Sequence, residues 1–215
     1  MSKQAYLLDD AQMAAYVRDS SITLTAAYPA PFHRVIYDEI ESVLETEGNP
    51  GNNILPRIPL LQDILDHPAV VGALTSILGP GYYLYPHRFC HFNPPGSEGQ
   101  TLHKDSLTRR QHRTRWVIVM YYPQDVTMEM GPTAVVPGSH YNNTEPDPDD
   151  ELSSAVDAGA VSIVNYDVWH RATPNTSTRN RYMVKFIFTR MEEPASTSWN
   201  GGRDGWSLTG DIRDR

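Results

Sequence analysis

The sequence predicts an α+β domain, mainly β, in which helices come first and a run of short strands follows. Three observations carry that expectation. Apolar residues recur at three- and four-residue steps through the first third of the chain. Past Pro80 the period falls to two. The segments with that shorter period are β-branched or aromatic and are bounded by Pro, Gly or Asn. Helices that precede strands, instead of alternating with them, are the layout of a β-sandwich or barrel with helices packed outside.

Taken in order, Asp9 and Gln12 have the form of a capping box, so a short helix is expected over Ala11–Arg18. Phe32, Val35, Ile36, Ile40, Val43 and Leu44 mark an amphipathic helix over 32–47 that Gly48-Asn49-Pro50 must end. Pro68 opens another, over 68–78, with Val70, Val71, Leu74, Ile77 and Leu78 on one face and a stop at Gly79-Pro80. These two helices are expected to cover one sheet. Strands are expected at Tyr82–Phe92, Gln100–Asp105, Trp116–Tyr122, Thr133–Val136, Ala160–Asn165 and Arg181–Arg190. The acidic, Pro-rich run from Thr144 to Glu151 reads as a solvated loop. From Pro194 the chain is rich in Ser, Gly and Asp yet holds Trp199 and Trp206, whose indoles need something to pack on. The expected division is one domain over 1–193 and a tail over 194–215.

A length of 215 residues suits one well-buried domain, and 40% hydrophobic with 20% charged residues suits a globular chain. Lys and Arg number 18 against 26 Asp and Glu, a formal charge of −8. An acidic surface repels phosphate backbones, which argues against nucleic acid or an anionic membrane as partner. Cys90 stands alone, which excludes an intrachain disulfide and a Cys-based zinc site and points to a reducing compartment. The N-terminus lacks the apolar core of a signal peptide. The longest apolar stretch, Trp116 to Tyr122, falls far short of the ~20 residues that span a bilayer. The chain is therefore expected to be soluble and cytoplasmic and to act on a small molecule. Monomer and homodimer both stay open.

The chemistry centres on histidine. His103 and Asp105 flank Lys104 on a predicted strand, where side chains alternate, so they share a face and Lys104 takes the other. Two such ligands hold a metal poorly, and His170, at the expected end of the strand Asn165–His170, is the best third. Two His and one carboxylate on one face of an octahedron leave positions open, the arrangement of non-haem Fe(II) oxygenases. The plainer reading is a strand-edge His paired with a carboxylate, with His170 serving a cap or turn. Eleven residues past His170, Arg181 opens an alternating strand. A guanidinium clamps a carboxylate through two parallel hydrogen bonds, so a pocket with open metal positions and one buried Arg suits a 2-oxo acid. Arg179 has the same parity, and periodicity alone does not choose between them.

Three stretches in this order, Leu102-His-Lys-Asp105, then Met130-Gly-Pro-Thr-Ala-Val-Val-Pro-Gly-Ser-His140, then Trp169-His-Arg-Ala-Thr-Pro-Asn175 with Arg181, resemble the phytanoyl-CoA dioxygenase (PhyH-like) family of Fe(II)/2-oxoglutarate-dependent oxygenases. The resemblance runs from about Leu7 to Glu193. It implies a double-stranded β-helix, or jelly roll, with helices on one side. It makes His103, Asp105 and His170 the iron ligands and Arg181 the 2-oxoglutarate anchor, with Fe(II), 2-oxoglutarate and O2 as the reacting partners. The implied reaction hydroxylates a C–H bond of a small organic molecule and releases succinate and CO2. Retention of Asp105 favours hydroxylation over halogenation, which needs that ligand position for chloride. The Gly-Pro-Thr…Pro-Gly-Ser-His turn is expected to be structural, and Met130 departs from the Asn that many members carry there.

Of the other residues, Met120 or Tyr122 at the end of its strand, and Arg88 or His91, are candidates for the co-substrate pocket, with core packing the plainer reading of the first two. His140 is expected to serve its loop, and Trp169 to shield the metal or pack the core. Arg109, Arg110 and Arg113 form a solvated basic patch or grip an anionic substrate. Two other classes of function compete: a metal-dependent hydrolase or lyase on the same scaffold, and a catalytically silent binding module. The first would need no clamp such as Arg181, and the second has no need to keep all three ligands.

Overall fold

The computed structural model describes residues 6–106 and 114–191; Arg109, Arg110, Arg113 and the tail with Trp199 and Trp206 lie outside them. Helix α1 (Asp10–Asp19) starts at the expected capping box. The Gln12 amide N–H donates to Asp9 Oδ1 at 2.8 Å, and the Asp9 amide N–H donates to Gln12 Oε1 at 3.0 Å. Strand β1 (Ser21–Thr25) follows at once, through Ser20 in the left-handed region at φ 68°. Helix α2 (Ala30–Glu47) begins slightly before the expected residue 32 and ends at Gly48. The short α3 (Ile54–Arg57) and α4 (Leu60–Asp66) lead into α5 (Pro68–Leu78), which has the expected bounds. Then come β2 (Tyr82–Asn93), β3 (Trp116–Tyr121), β4 (Thr133–Val135), β5 (Leu152–Ser153), β6 (Ala160–Asn165), β7 (His170–Ala172) and β8 (Arg181–Arg190).

Among the described residues the strands form two antiparallel sheets, ordered β1-β6-β3-β8-β2 and β5-β4-β7, the two halves of a jelly roll. Strand parity divides the larger sheet. Val117, Val119 and Tyr121 of β3, Val161 and Ile163 of β6, and Tyr182, Val184, Phe186 and Phe188 of β8 face the helices. There they bury against Ile36 and Ile40 of α2, Ile64 of α4, and Leu74 and Ile77 of α5. Fully burying a side chain such as Phe186 contributes about 2–3 kcal/mol. Ile118, Met120, Val164 and Met183 face the other way, towards the smaller sheet. No helix among the described residues is long and apolar enough to cross a membrane.

Two expected strands are corrected. Gln100–Asp105 does not form a strand: His103 makes one isolated bridge to His170, and Asp105 sits in a bend. The physical cause is a mismatch of spacing. Gln100 pairs with Ala172 and His103 with His170, so a three-residue step faces a two-residue step and the ladder cannot propagate. Nor does a strand run from Asn165 to His170. The Asn165 side chain accepts from the Asp167 amide at 3.0 Å, and the Asn165 carbonyl accepts from Val168 at 3.1 Å. That turn ends β6, and His170 opens β7 in the opposite sheet.

Candidate metal centre

His103 belongs to the loop after β2 and is tied to β7 by a reciprocal backbone pair, His103 N–H to the His170 carbonyl at 3.0 Å and the reverse at 2.9 Å. That bridge sets the two imidazoles side by side, with centroids 4.6 Å apart. The Nδ1 of His103 meets the Thr101 carbonyl at 2.8 Å, and the Nδ1 of His170 meets the Val168 carbonyl at 3.1 Å. A carbonyl only accepts, so each ring carries its proton on Nδ1 and keeps the Nε2 lone pair free. Asp105 Oδ1 lies 3.9 Å from His103 Nε2. One ligand atom from each of the three residues falls within 4.8 Å of the others. Two imidazole nitrogens and one carboxylate oxygen, all on one side, fit a divalent transition metal with open positions opposite. Lys104 points away, its Nζ donating to the Asn142 carbonyl at 3.0 Å and lying over the Trp169 ring.

Electrostatics favour ligation. Burial pushes the His170 imidazole below its ordinary pKa and holds it neutral. Burial opposes charge on Asp105, but the Lys185 ammonium, through its charge and its hydrogen bond, outweighs it, and the carboxyl titrates below the usual range. Lys185 Nζ donates to Asp105 Oδ2 at 3.0 Å, which leaves Oδ1 turned towards the histidines.

Arg181 reaches the same place from β8. It is 1% exposed, and its Nε and Nη2 groups donate to the Gly131 carbonyl at 3.2 and 3.0 Å. Among the described residues it has no carboxylate partner, so a buried guanidinium stands ready for an anion. Gly131 makes this contact possible. Its φ is +72°, and a Cβ there would fall 2.3 Å from the Thr173 carbonyl oxygen. The turn expected to be only structural therefore also holds Arg181. Arg179, whose parity left it open, is exposed and borders a separate cleft with Arg34 and Asp125.

A cavity of about 200 Å³ joins these groups; Arg181, Met120, His91, Met183 and Lys185 line it beside His103, Asp105 and His170. Met120 is thus in the wall. Arg88 is not, and this corrects its assignment to the co-substrate pocket. It pairs with Phe186 on the helix side of the sheet, whereas His91, paired with Met183, faces the cavity. Parity decides, since successive residues of β2 look to opposite faces. Burial first, then the charges of Lys185 and Arg181, pull His91 down to about 4. His140 bonds through Nδ1 to Ser20 Oγ and pins its loop to the end of α1. Trp169 lies under Lys104 rather than over the cavity. Sequence motifs do not single out Lys185, although a lysine inside Met-Val-Lys-Phe-Ile-Phe, at the parity of Arg181, is a visible signal.

The protein-family model described as Phytanoyl-CoA dioxygenase (PhyH) matches residues 8–183. Uncharacterized protein Mb1539 of Mycobacterium bovis is 30% identical over 136 residues, 59% of this chain and 50% of that protein. The chain thus spans about half the length of the curated relatives it matches. Among solved structures, the non-heme alpha ketoglutarate dependent carbocyclase SnoK from nogalamycin biosynthesis aligns with a TM-score of 0.71 and 19% identity, covering 85% of this chain and 84% of that one. HygX from Streptomyces hygroscopicus, with nickel and 2-oxoglutarate bound, aligns with a TM-score of 0.73 and 12% identity, covering 86% and 88%. At such identities the likeness establishes the shared fold.

Proposed function

This chain belongs to the phytanoyl-CoA dioxygenase family, and from that premise we propose that it is an Fe(II)- and 2-oxoglutarate-dependent dioxygenase that hydroxylates a C–H bond of a small organic molecule. One observation carries the reading. A triad of ligand-competent atoms and a buried guanidinium without a carboxylate partner share one cavity. A metal site alone would serve a hydrolase equally well. The buried cation adds a demand for an anion at a fixed distance from the metal, and a 2-oxo diacid meets both demands.

In this reading His103, Asp105 and His170 hold the iron, which supplies the oxygen chemistry when bound. The carbonyls of Thr101 and Val168 keep both Nε2 lone pairs aimed inward. Arg181, braced on Gly131, receives the far carboxylate of 2-oxoglutarate. Met120 and Met183 supply an apolar, water-poor wall. The balance is that 2-oxoglutarate, O2 and R–H give succinate, CO2 and R–OH, one oxygen atom going to each organic product.

SnoK is named a carbocyclase, so the oxidative outcome is the part to test. The experiment follows 2-oxoglutarate consumption with Fe(II) and ascorbate across a substrate panel, with mass spectrometry of the products. Hydroxylation adds one oxygen atom, whereas ring closure removes two hydrogens. If no 2-oxoglutarate is consumed and none binds the metal-loaded protein, the reading fails.

A further inference from the structure

Resting on the reading just given, we propose that the substrate is a carboxylate-bearing small molecule and that Lys185 is the residue that receives its carboxylate. Lys185 is 8% exposed, among the most buried charged side chains described, and it lies in the wall of the metal cavity. It sits four residues along β8 from Arg181, on the same face, about 13 Å away at strand rise. Asp105 pairs with it from one side through Oδ2. An ammonium has three donors, so the group can hold Asp105 and still donate into the cavity.

Charge balance asks for that second acceptor. Among the described residues lining the cavity, Arg171 is matched by Glu151 at 2.8 Å. The remaining fixed charges are Arg181, Lys185 and Asp105, which sum to one positive. A divalent metal adds two, and the 2-oxoglutarate dianion removes two. One buried positive charge is left over once the metal and 2-oxoglutarate of that reading are in place, and an uncompensated buried charge is costly. An anionic substrate removes it.

Geometry offers the body of that substrate a place. On the inner face of the larger sheet, Phe89, Lys185, Met120, Ser162 and Thr23 stand side by side across five strands. Met120 and Thr133 are shared between the metal cavity and a larger one of about 410 Å³ that continues along this row past Ser162 and Thr23. A molecule with its carboxylate on Lys185 would extend into a chamber walled by hydroxyls and by Val135 and Val164.

The test uses the full chain loaded with Ni(II), which blocks turnover, and saturated with 2-oxoglutarate. Short aliphatic monocarboxylic acids and their primary amides are titrated in matched pairs by calorimetry. The wild type should prefer acid over amide by about tenfold or more, the usual worth of a hydrogen bond to a charged group. Lys185→Met should bring that ratio close to one, and Lys185→Arg should keep most of it. Nickel content and 2-oxoglutarate affinity are measured on every variant. A role confined to holding Asp105 would lower nickel affinity and leave the ratio unchanged, which overturns the proposal. So does a wild type that takes up 2-oxoglutarate but binds no acid, or binds acids and amides alike. A wild type that fails to take up 2-oxoglutarate at all is seen in the first titration and removes the underlying reading.

Discussion

The guanidinium of Arg181 grips the carbonyl oxygen of Gly131 through two of its nitrogens, at 3.2 and 3.0 Å, fifty residues apart in the chain. The contact fixes the direction of the fork while leaving further N–H groups for a ligand. Arg181→Ala should weaken 2-oxoglutarate binding by roughly 30-fold or more, because losing one partner of a desolvated charged pair costs about 2–5 kcal/mol. Arg181→Lys should recover little. Arg179→Ala should have almost no effect, since that side chain is exposed on another cleft. Titration of 2-oxoglutarate into the metal-loaded variants decides. Loss in Arg179→Ala with none in Arg181→Ala would overturn the assignment.

Gly131→Ala should damage the fold and the anchor together. The added Cβ would meet the Thr173 carbonyl and the Asn93 side chain in a backbone region that L-residues avoid. A cost of about 2–4 kcal/mol is expected from strain and overpacking, read as a shifted urea midpoint. Metal affinity should fall far less than 2-oxoglutarate affinity. A variant as stable as the wild type would show that the turn relaxes freely.

Asp105 and Lys185 should couple in the metal-free protein. Asp105→Ala leaves a buried ammonium unpaired, at a cost of about 3–5 kcal/mol. Asp105→Ala combined with Lys185→Met should be more stable than Asp105→Ala alone. Metal should raise the melting temperature of the wild type and not that of Asp105→Ala or His170→Ala; saturation at 100 times Kd is worth about 2.7 kcal/mol. Equal thermal shifts in all three would remove these residues from the metal site.

Acid should destabilise the metal-free protein through His91. Its folded pKa is about 4, held down by burial and by Lys185 and Arg181, against an ordinary 6.5. The unfolded chain therefore binds a proton that the folded one refuses. The stabilising contribution is complete above pH 6.5 and is lost as pH falls towards 4, on the order of 3 kcal/mol in all. His91→Gln should flatten urea midpoints across that range in the presence of chelator. A variant with the slope of the wild type would place the titration elsewhere.

Much of this architecture could be read from local pattern. The capping box at Asp9, the stops at Gly48 and Gly79, and the alternation in β8 are local signals, and the structure keeps them. Pairing was less legible. His103 and Asp105 were expected on one face of a strand; they do converge, but from a bridge and a bend, because their neighbours are set by β7. Strand β1 and helix α4 were too short for periodicity to stand out. Parity said that Arg88 and His91 face opposite ways but not which way was inward; that depended on where the helices dock. Lys185 is not legible from sequence because a single charge in an apolar strand acquires meaning only through its cross-strand neighbours.

The alternation along β2 and β8 bears on redesign. His91, Met183 and Lys185 look inward to the metal cavity, while Arg88, Cys90, Val184 and Phe186 look out to the helices. The side chains that shape the cavity and those that bury against the helices thus occupy interleaved positions of the same two strands. A library at the inward positions can explore new substrates provided that Lys185 keeps its pairing with Asp105 and Met183 its buried apolar bulk. A one-residue insertion in either strand would exchange the two sets beyond it, whereas the two extra residues that β2 carries between Leu84 and Arg88 leave the parity intact.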